Sequence, residues 1–267
     1  MLPLIAAFFV FWILELVLGR SSLRGRGPVV LFHFVLMMLA FAVSAAIVRL
    51  FHLPPPDPKA EPGPLFHLFH LPTIPQLIAG VLLYDLVAYV QHRLQHEVPV
   101  LWRLHRLHHT DQELDASTRF RFHPLDLVVR SVMLVGMAWM VNVPPLAAMI
   151  VSVISLPLGY LQHTQVNVLP GWLDRALRPV LVTGVLHRVH HSTEMRQTNS
   201  NYGFVFSFWD RLFRTYDAND GKPPARYGLD EFTAPEWGTL RGMLMNPFVK
   251  VPAAPEPRTG ISGASGT

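Results

Sequence analysis

The stretch from Val29 to Val48 is twenty residues long and holds no Asp, Glu, Lys or Arg. At 1.5 Å per helical residue it reaches across a hydrocarbon core of about 30 Å, which predicts a spanning helix. A longer uncharged run of thirty-two residues, Ser131 to Gln162, carries Asn142-Val143-Pro144-Pro145 near its middle. Consecutive prolines remove donors and turn the chain, so this run predicts a hairpin of two helices rather than one span. Each arm is short for a full crossing unless His123 to Arg130 and His163 join it, and a hairpin that stops within the bilayer stays open. Met1 to Leu18, with Glu15 as its only charge, and Pro75 to about Arg93, with only Asp85 before its end, complete the set. The N-terminal run lacks the basic start and small-residue cleavage site of a signal peptide and reads as an anchor. The expectation is an all-α membrane protein, a bundle of about four to five transmembrane helices.

Charged residues make up 15% of the chain, against roughly 25% in an ordinary soluble domain. The absence of cysteine excludes thiolate clusters, Cys-type zinc sites, disulfides and Cys nucleophiles, leaving nitrogen and oxygen as the only metal ligands. The net charge of +4 comes without a concentrated basic stripe and gives no reason to expect a nucleic-acid partner. Its placement is more informative. Arg20, Arg24 and Arg26 crowd the first loop, whereas the proline-rich second loop, Leu53 to Thr73, has only Asp57, Lys59 and Glu61. The positive-inside tendency puts the first loop in the cytoplasm and the second outside. Threading five spans from there brings both His-rich segments to the cytoplasmic side of a multi-pass protein, in a bacterial inner membrane or, in a eukaryote, the endoplasmic reticulum. Residues 1–74 then form anchor helices with an external loop, 75–216 the domain that carries both His-rich segments, and 217–267 a C-terminal extension, largely irregular or disordered, its Pro-, Gly- and Ser-rich tail from Pro252 above all.

Ten of the 14 histidines lie from His92 to His191, and they are patterned: His92-Arg-Leu-Gln-His96, His105-Arg-Leu-His108-His109 and His187-Arg-Val-His190-His191. Spacings of three and four put the rings of each group on one helix face, so that each group can present several imidazoles to one point. At this His content the HxxHH triplet is expected by chance about 0.04 times in the chain, so two copies call for another explanation. Eight neutral imidazoles packed together would leave donors and acceptors unsatisfied, and eight protonated ones would repel; bound cations resolve both problems.

The remaining polar residues divide. His33, alone in the second span, reads as a hydrogen-bonded core residue. His52 and the pair His67 and His70 fall in or beside the external loop and are excluded. His163 ends the last apolar helix at the cytoplasmic boundary and reads as a ninth ligand. For His123, ligand and structural roles both stay open, and Asn167, one turn past His163, is a candidate ligand. Asp85 lies on almost the same face as His92, where an intramembrane carboxylate needs a partner such as a ligating imidazole N–H. Glu194 continues the face of His187, His190 and His191 as a ligand, a partner to one, or a solvated side chain. Nine imidazoles exceed the needs of one ion, so two ions are expected, and imidazole alone does not choose among Zn, Cu, Fe and Ni. The site sits at the mouth of an apolar bundle, where a long alkyl chain enters from lipid. Attack on its unactivated C–H bonds needs an oxidant that side chains lack and that iron with O2 provides.

Tyr84-Asp85, the first two His groups with Leu101-Trp102-Arg103 between them, Arg121-Phe122-His123-Pro124, the His163 region, His187 to His191, Asn201-Tyr202-Gly203 and Trp209 to Phe213 resemble the fatty acid hydroxylase or sterol desaturase superfamily, in its order from about Leu77 to Tyr216. The short gap from His96 to His105 is similar to this superfamily rather than to the acyl-CoA desaturases. The resemblance implies a membrane helical bundle with a cytoplasmic di-metal cap and O2-dependent hydroxylation or desaturation of a lipid. It also implies a third HxxxH box, where this chain has Asn167 as the second member after His163.

The cofactors expected are two iron ions, with zinc competing for the same imidazoles in a purified sample, and O2 as co-substrate. No glycine-rich dinucleotide fingerprint follows a strand and no Cys cluster exists, so electrons are expected from a separate donor protein. A His-rich metal transporter is the competing class, but the only ionisable residues for a path through the spans are Glu15, Asp85 and Arg130. An inactive scaffold is a third. The lipid substrate and oligomeric state are not written in the sequence. The aromatic stretch from Asn201 to Trp209, followed by Leu212-Phe213, leaves two roles open, bracing the cytoplasmic cap against the bundle or forming an interfacial slot for lipid floored by Phe206 and Phe208.

Overall fold

The computed structural model describes residues 2–18, 26–50, 73–140, 143–165, 167 and 169–250. Among them there is no strand, and pairing of that kind is limited to two single bridges, Leu181 with Phe206 and Ser192 with Tyr227. Among the described residues five apolar helices form the bundle: α1 (Leu2–Val17), α2 (Gly27–Leu50), α3 (Thr73–Glu97), α5 (Pro124–Met140) and α6 (Pro145–His163), with α4 (Pro99–His109) between the third and fourth of these. Two of them, α3 and α6, are long and apolar enough to cross a membrane. Proline punctuates the order. Pro99, Pro124 and Pro145 each open a helix, where the missing N–H has no partner to lose. The hairpin expected at Pro144-Pro145 is present, and its arms do take in Pro124 to Arg130 and His163.

α3 is the centre of the bundle, packing on α4, α5 and α6, while α2 lies on α5 and α1 on α6. Many apolar side chains point outward, among them Val132, Val135, Val153, Phe41 and Ile78. That arrangement inverts the polar surface of a water-soluble bundle.

Five helix ends meet at one cap. Near the end of α1, the Glu15 carboxylate accepts from the Ala116 amide (2.9 Å) and the Thr164 hydroxyl. Just before α2, Arg26 pairs with Asp111 (3.0 Å) and Asp115 (3.1 Å). The last turns of α3 and α6 and the first turn of α5 supply His96, His163 and Asp126 to the same cap. The rest of the cap is α4, a 3₁₀ turn (Ala116–Phe120), α7 (Gly171–Leu177), α8 (Gly184–His190) and the segment up to residue 250. Asp115 caps the 3₁₀ turn, accepting from the Ser117 amide at 2.7 Å.

Up to residue 250 the extension after residue 216 consists of short turns and irregular segments, and its one α-helix, Leu240–Met245, buries Met243 against Leu36 and Leu107, while Arg106 donates to Asn246. The tail from Pro252 and His52, His67 and His70 lie outside the described residues.

Candidate metal centre

The chain folds so that four helices aim imidazoles into one volume. His92 and His96 sit a turn apart near the end of α3. Val98 is forced extended (φ −94, ψ 116) ahead of Pro99, which breaks α3 and starts α4 at an angle, so His105, His108 and His109 come back over the end of α3. α8 brings His187, His190 and His191 from the far side. It can do so because Gly184 lacks a side chain: a Cβ there would lie 2.5 Å from the Leu161 carbonyl oxygen of α6. That close approach seats His187 beside His163.

The imidazoles form two groups, His92 with His96, His109 and His190, and His108 with His163, His187 and His191; within each, the nearest ring nitrogens all lie within 4.8 Å of one another. Each adjacent pair is divided: His108 and His191 serve one group, His109 and His190 the other. Neighbouring helical residues point about 100° apart, so an HH step straddles two centres. Each HxxHH triplet thus presents part of its imidazoles to one group and part to the other. In the second group Nε2 atoms lie 3.1 Å (His108 to His163), 3.2 Å (His163 to His187) and 3.1 Å (His187 to His191) apart. Nitrogens held tetrahedrally 2.0–2.1 Å from one ion are about 3.3 Å apart, close to the spacing found. His105 stands between the groups, its ring centroid 5.1 Å from those of His92, His96 and His109 and 5.4 Å from that of His108.

The surroundings fix which nitrogen faces inward. Nδ1 of His92 bonds the Tyr202 carbonyl (2.9 Å), that of His163 the Gly159 carbonyl (2.6 Å) and that of His190 the Ser200 carbonyl (2.7 Å). His105 Nδ1 lies 3.3 Å from Asp126 Oδ2. Each of these contacts places the proton on Nδ1 and leaves the Nε2 lone pair for a cation. Both ring nitrogens of His96 and His109, and Nε2 of His105 and His190, are buried without a protein partner. Burial, reinforced by neighbouring imidazoles, holds His108, His109, His187 and His191 well below the ordinary His value, and burial holds His190 down to about 4. Neutral, converging and otherwise unsatisfied imidazoles are what two nitrogen-ligated transition ions require.

All nine expected ligands are thus brought together; the other candidates are not. His123 spends Nε2 on the Leu244 carbonyl (3.2 Å) and Nδ1 on the Leu125 amide (3.1 Å), so the C-terminal extension claims it. Asn167 is exposed and accepts from Arg188. Glu194 is exposed beside the turn that follows α8. His33 is the buried core residue expected, bonded to Ser117 Oγ (2.9 Å) and Arg121 (3.0 Å). Asp85 partners no imidazole but accepts from the amides of Val205 (2.9 Å) and Phe206 (3.1 Å) and the indole of Trp209 (3.0 Å). Asp85→Asn turns an amide NH2 toward these donors, and an unmet buried donor costs about 1–3 kcal/mol. It is expected to lower the thermal midpoint by about 5 °C and to leave metal content after reconstitution unchanged, checked by thermal unfolding and elemental analysis. Asp126 was not singled out from sequence, although a signal exists: it is the only acid between Asp115 and Asp174.

A cavity of about 330 Å³ adjoins the centre, lined by His92, His105, His108, His163 and His187 at one end and by Met37, Phe41 and Leu134 at the other. Along α5 the lining runs from Leu127 to Leu134, so the cavity follows that helix for roughly 10 Å. Phe206 and Phe208 are not among its lining residues. The bridge to Leu181 and the bond to Asp85 fix the Phe206 backbone, and its ring stacks on Phe208 at 5.1 Å; Phe204 lines the cavity instead.

Residues 77–215 match the family described as fatty acid hydroxylase. An ornithine lipid hydroxylase from Rhizobium tropici is 30% identical over 141 residues, 53% of this chain and 41% of that protein. Human alkylglycerol monooxygenase is 31% identical over 177 residues, 61% of this chain and 36% of that protein. Human cholesterol 25-hydroxylase is 27% identical over 192 residues, 70% of this chain and 62% of that protein. The matched stretch therefore spans less than half of the first two relatives. No solved structure matches.

Proposed function

The chain belongs to the fatty acid hydroxylase family, and on that premise we propose that it is a multi-pass membrane oxidoreductase that hydroxylates or desaturates a lipid C–H bond with two bound iron ions, O2 and electrons from a separate protein. The observation that carries this reading is the pair of four-imidazole groups at the inner end of an apolar cavity. Iron held by His92, His96, His109 and His190 and by His108, His163, His187 and His191, with His105 between them, would supply the activation of O2 that side chains lack.

The protein's own residues do the rest. The carbonyls of Tyr202, Gly159 and Ser200 hold the protons of His92, His163 and His190 on Nδ1, and Asp126 orients His105. Met37, Phe41 and Leu134 line the far end of the cavity and offer an alkyl chain a dry channel. Phe41 is also 46% exposed on the outside of the bundle, which suits entry sideways from the bilayer. Phe122, stacked on His108 with centroids 4.3 Å apart, closes one wall beside the imidazoles. All five apolar helices are taken to span the membrane, and Arg26, at the cap end of α2, supports a cytoplasmic cap through the positive-inside tendency. A transporter is the weaker reading, since Glu15 is tied into the cap and Asp85 is used up by backbone amides and Trp209.

Two measurements test the proposal. After anaerobic iron reconstitution, elemental analysis is expected to find two iron ions per chain; no more than one tightly bound ion overturns the two-metal reading. Lipids of cells with and without the gene are expected to differ in a species changed by one oxygen or two hydrogens, dependent on O2. No such species under aerobic growth with bound iron overturns the oxygenase reading.

A further inference from the structure

The cavity beside the imidazoles is lined by two positive side chains, Arg119 and Arg130, and by no acidic one. Arg119 comes from the 3₁₀ turn and lies over Gly159 of α6, where a Cβ would collide with its Nη1. Arg130 comes from the second turn of α5. Among the described residues, neither guanidinium has a hydrogen bond or a carboxylate at ion-pair distance. The acid whose charge Arg130 feels, Asp126, is engaged by Gln95 (2.6 Å) and His105. The two guanidiniums repel each other across the cavity, and burial with that repulsion brings Arg119 down to about 10.

Each guanidinium carbon lies over an aromatic ring, that of Arg119 over Tyr160 at 5.4 Å and that of Arg130 over Phe122 at 4.5 Å. Their N–H groups, without a hydrogen-bond partner among the described residues, are the donors that fit a carboxylate or phosphate. Nine neutral imidazoles bring no counter-charge to metal ions beside them, so the need for an anion grows when the centre is loaded. Phe122 lies between Arg130 and His108, which sets the positive charge one ring away from the second imidazole group.

Resting on the oxygenase reading, we propose that Arg119 and Arg130 grip an oxyanion, carboxylate or phosphate, of an acidic amphiphile. Its chain lies toward Met37, Phe41 and Leu134, and the carbon offered to the metal centre is within a few bonds of the acidic group. The arginines thereby select acidic over neutral lipids.

The test is binding without turnover. Iron-loaded full-length protein in an uncharged detergent, kept free of O2, is titrated with radiolabelled oleate, oleyl phosphate and oleyl alcohol. At least one of the two acids is expected to bind about tenfold or more tighter than the alcohol, the scale of a charge-assisted bond, and the stronger acid identifies which oxyanion the site takes. Arg119→Gln and Arg130→Gln are each expected to reduce that preference several-fold, with alcohol binding and iron content unchanged, and Arg119→Lys and Arg130→Lys to retain part of it. Equal binding of acids and alcohol by the unaltered protein overturns the proposal, as does a preference that survives both Gln variants. Loss of iron in the Gln and Lys variants alike also overturns it, because the arginines would then be braces for the fold. If the oxygenase reading is wrong but this one holds, acids bind with preference and no O2-dependent product forms, so the two fail separately.

Discussion

His108→Ala and His190→Ala are each expected to abolish lipid oxidation, a fall of well over 100-fold, because each removes an imidazole from one of the two groups. The bound is set from partners that touch a ligand without being one, whose loss typically costs 10 to 100-fold; losing the ligand itself must exceed it. The two variants fail differently. His108 is 3.1 Å from His163 in the group completed by His187 and His191, so His108→Ala empties that position and leaves the other group whole. His190→Ala does the reverse and also frees the Ser200 carbonyl that held its Nδ1. Elemental analysis is expected to find about one ion per chain in each variant, against two in the unaltered protein. His123→Ala is the control within the same family motif: its ring bonds Leu244 and Leu125, so metal content and oxidation are expected to persist. Loss of both ions from His123→Ala, or retention of both by His108→Ala, would mean that the division into two groups is wrong.

The five apolar helices and the hairpin were legible because an uncharged run and a proline pair act locally, through hydration and a missing donor. The nine imidazoles were legible because a spacing of three or four is geometry internal to one helix. What sequence could not supply was how helices meet. The division of His108 from His109 depends on the angle at which α4 returns over α3, set by the break at Val98-Pro99. The fate of His123 depends on Leu244, more than a hundred residues away. Asp85 was expected to serve an imidazole because it shares a helix face with His92, yet the loop at Val205 and Phe206 reaches it first. Arg119 was invisible for the same reason: a positive charge in a motif of alternating Arg and Phe carries no mark of facing a cavity, which only its seat on Gly159 of α6 reveals.

Arg121→Ala is expected to have the largest effect on stability. Arg121 is 3% exposed and joins the end of α4, the turn at Trp237 and α2. Its guanidinium donates to the Leu107 carbonyl (3.1 Å), to Thr110 Oγ1 (2.9 Å) and to the Trp237 carbonyl (3.3 Å), and lies 3.0 Å from His33 Nε2. Its charge also helps to hold Asp111. Burial alone would raise that carboxyl, but Arg26 and Arg121 keep it well below the usual carboxylate range. Removing one member of such a buried network costs about 3–5 kcal/mol, because the partners stay buried while their compensation is gone. At about 2–4 °C per kcal/mol for a chain of this size, the midpoint of thermal unfolding is expected to fall by about 10 °C or more. The site feels the change through α4: Leu107 and Thr110 flank His108 and His109, so the end of the helix that carries both loses its tether and metal is expected to bind more weakly. Arg226→Ala, whose ion pair with Asp230 is largely exposed, is the comparison, with an expected cost within about 1 kcal/mol. Equal midpoints for the two variants would mean that Arg121 does not hold the cap to α2, and that His108 and His109 keep their places through the bundle alone.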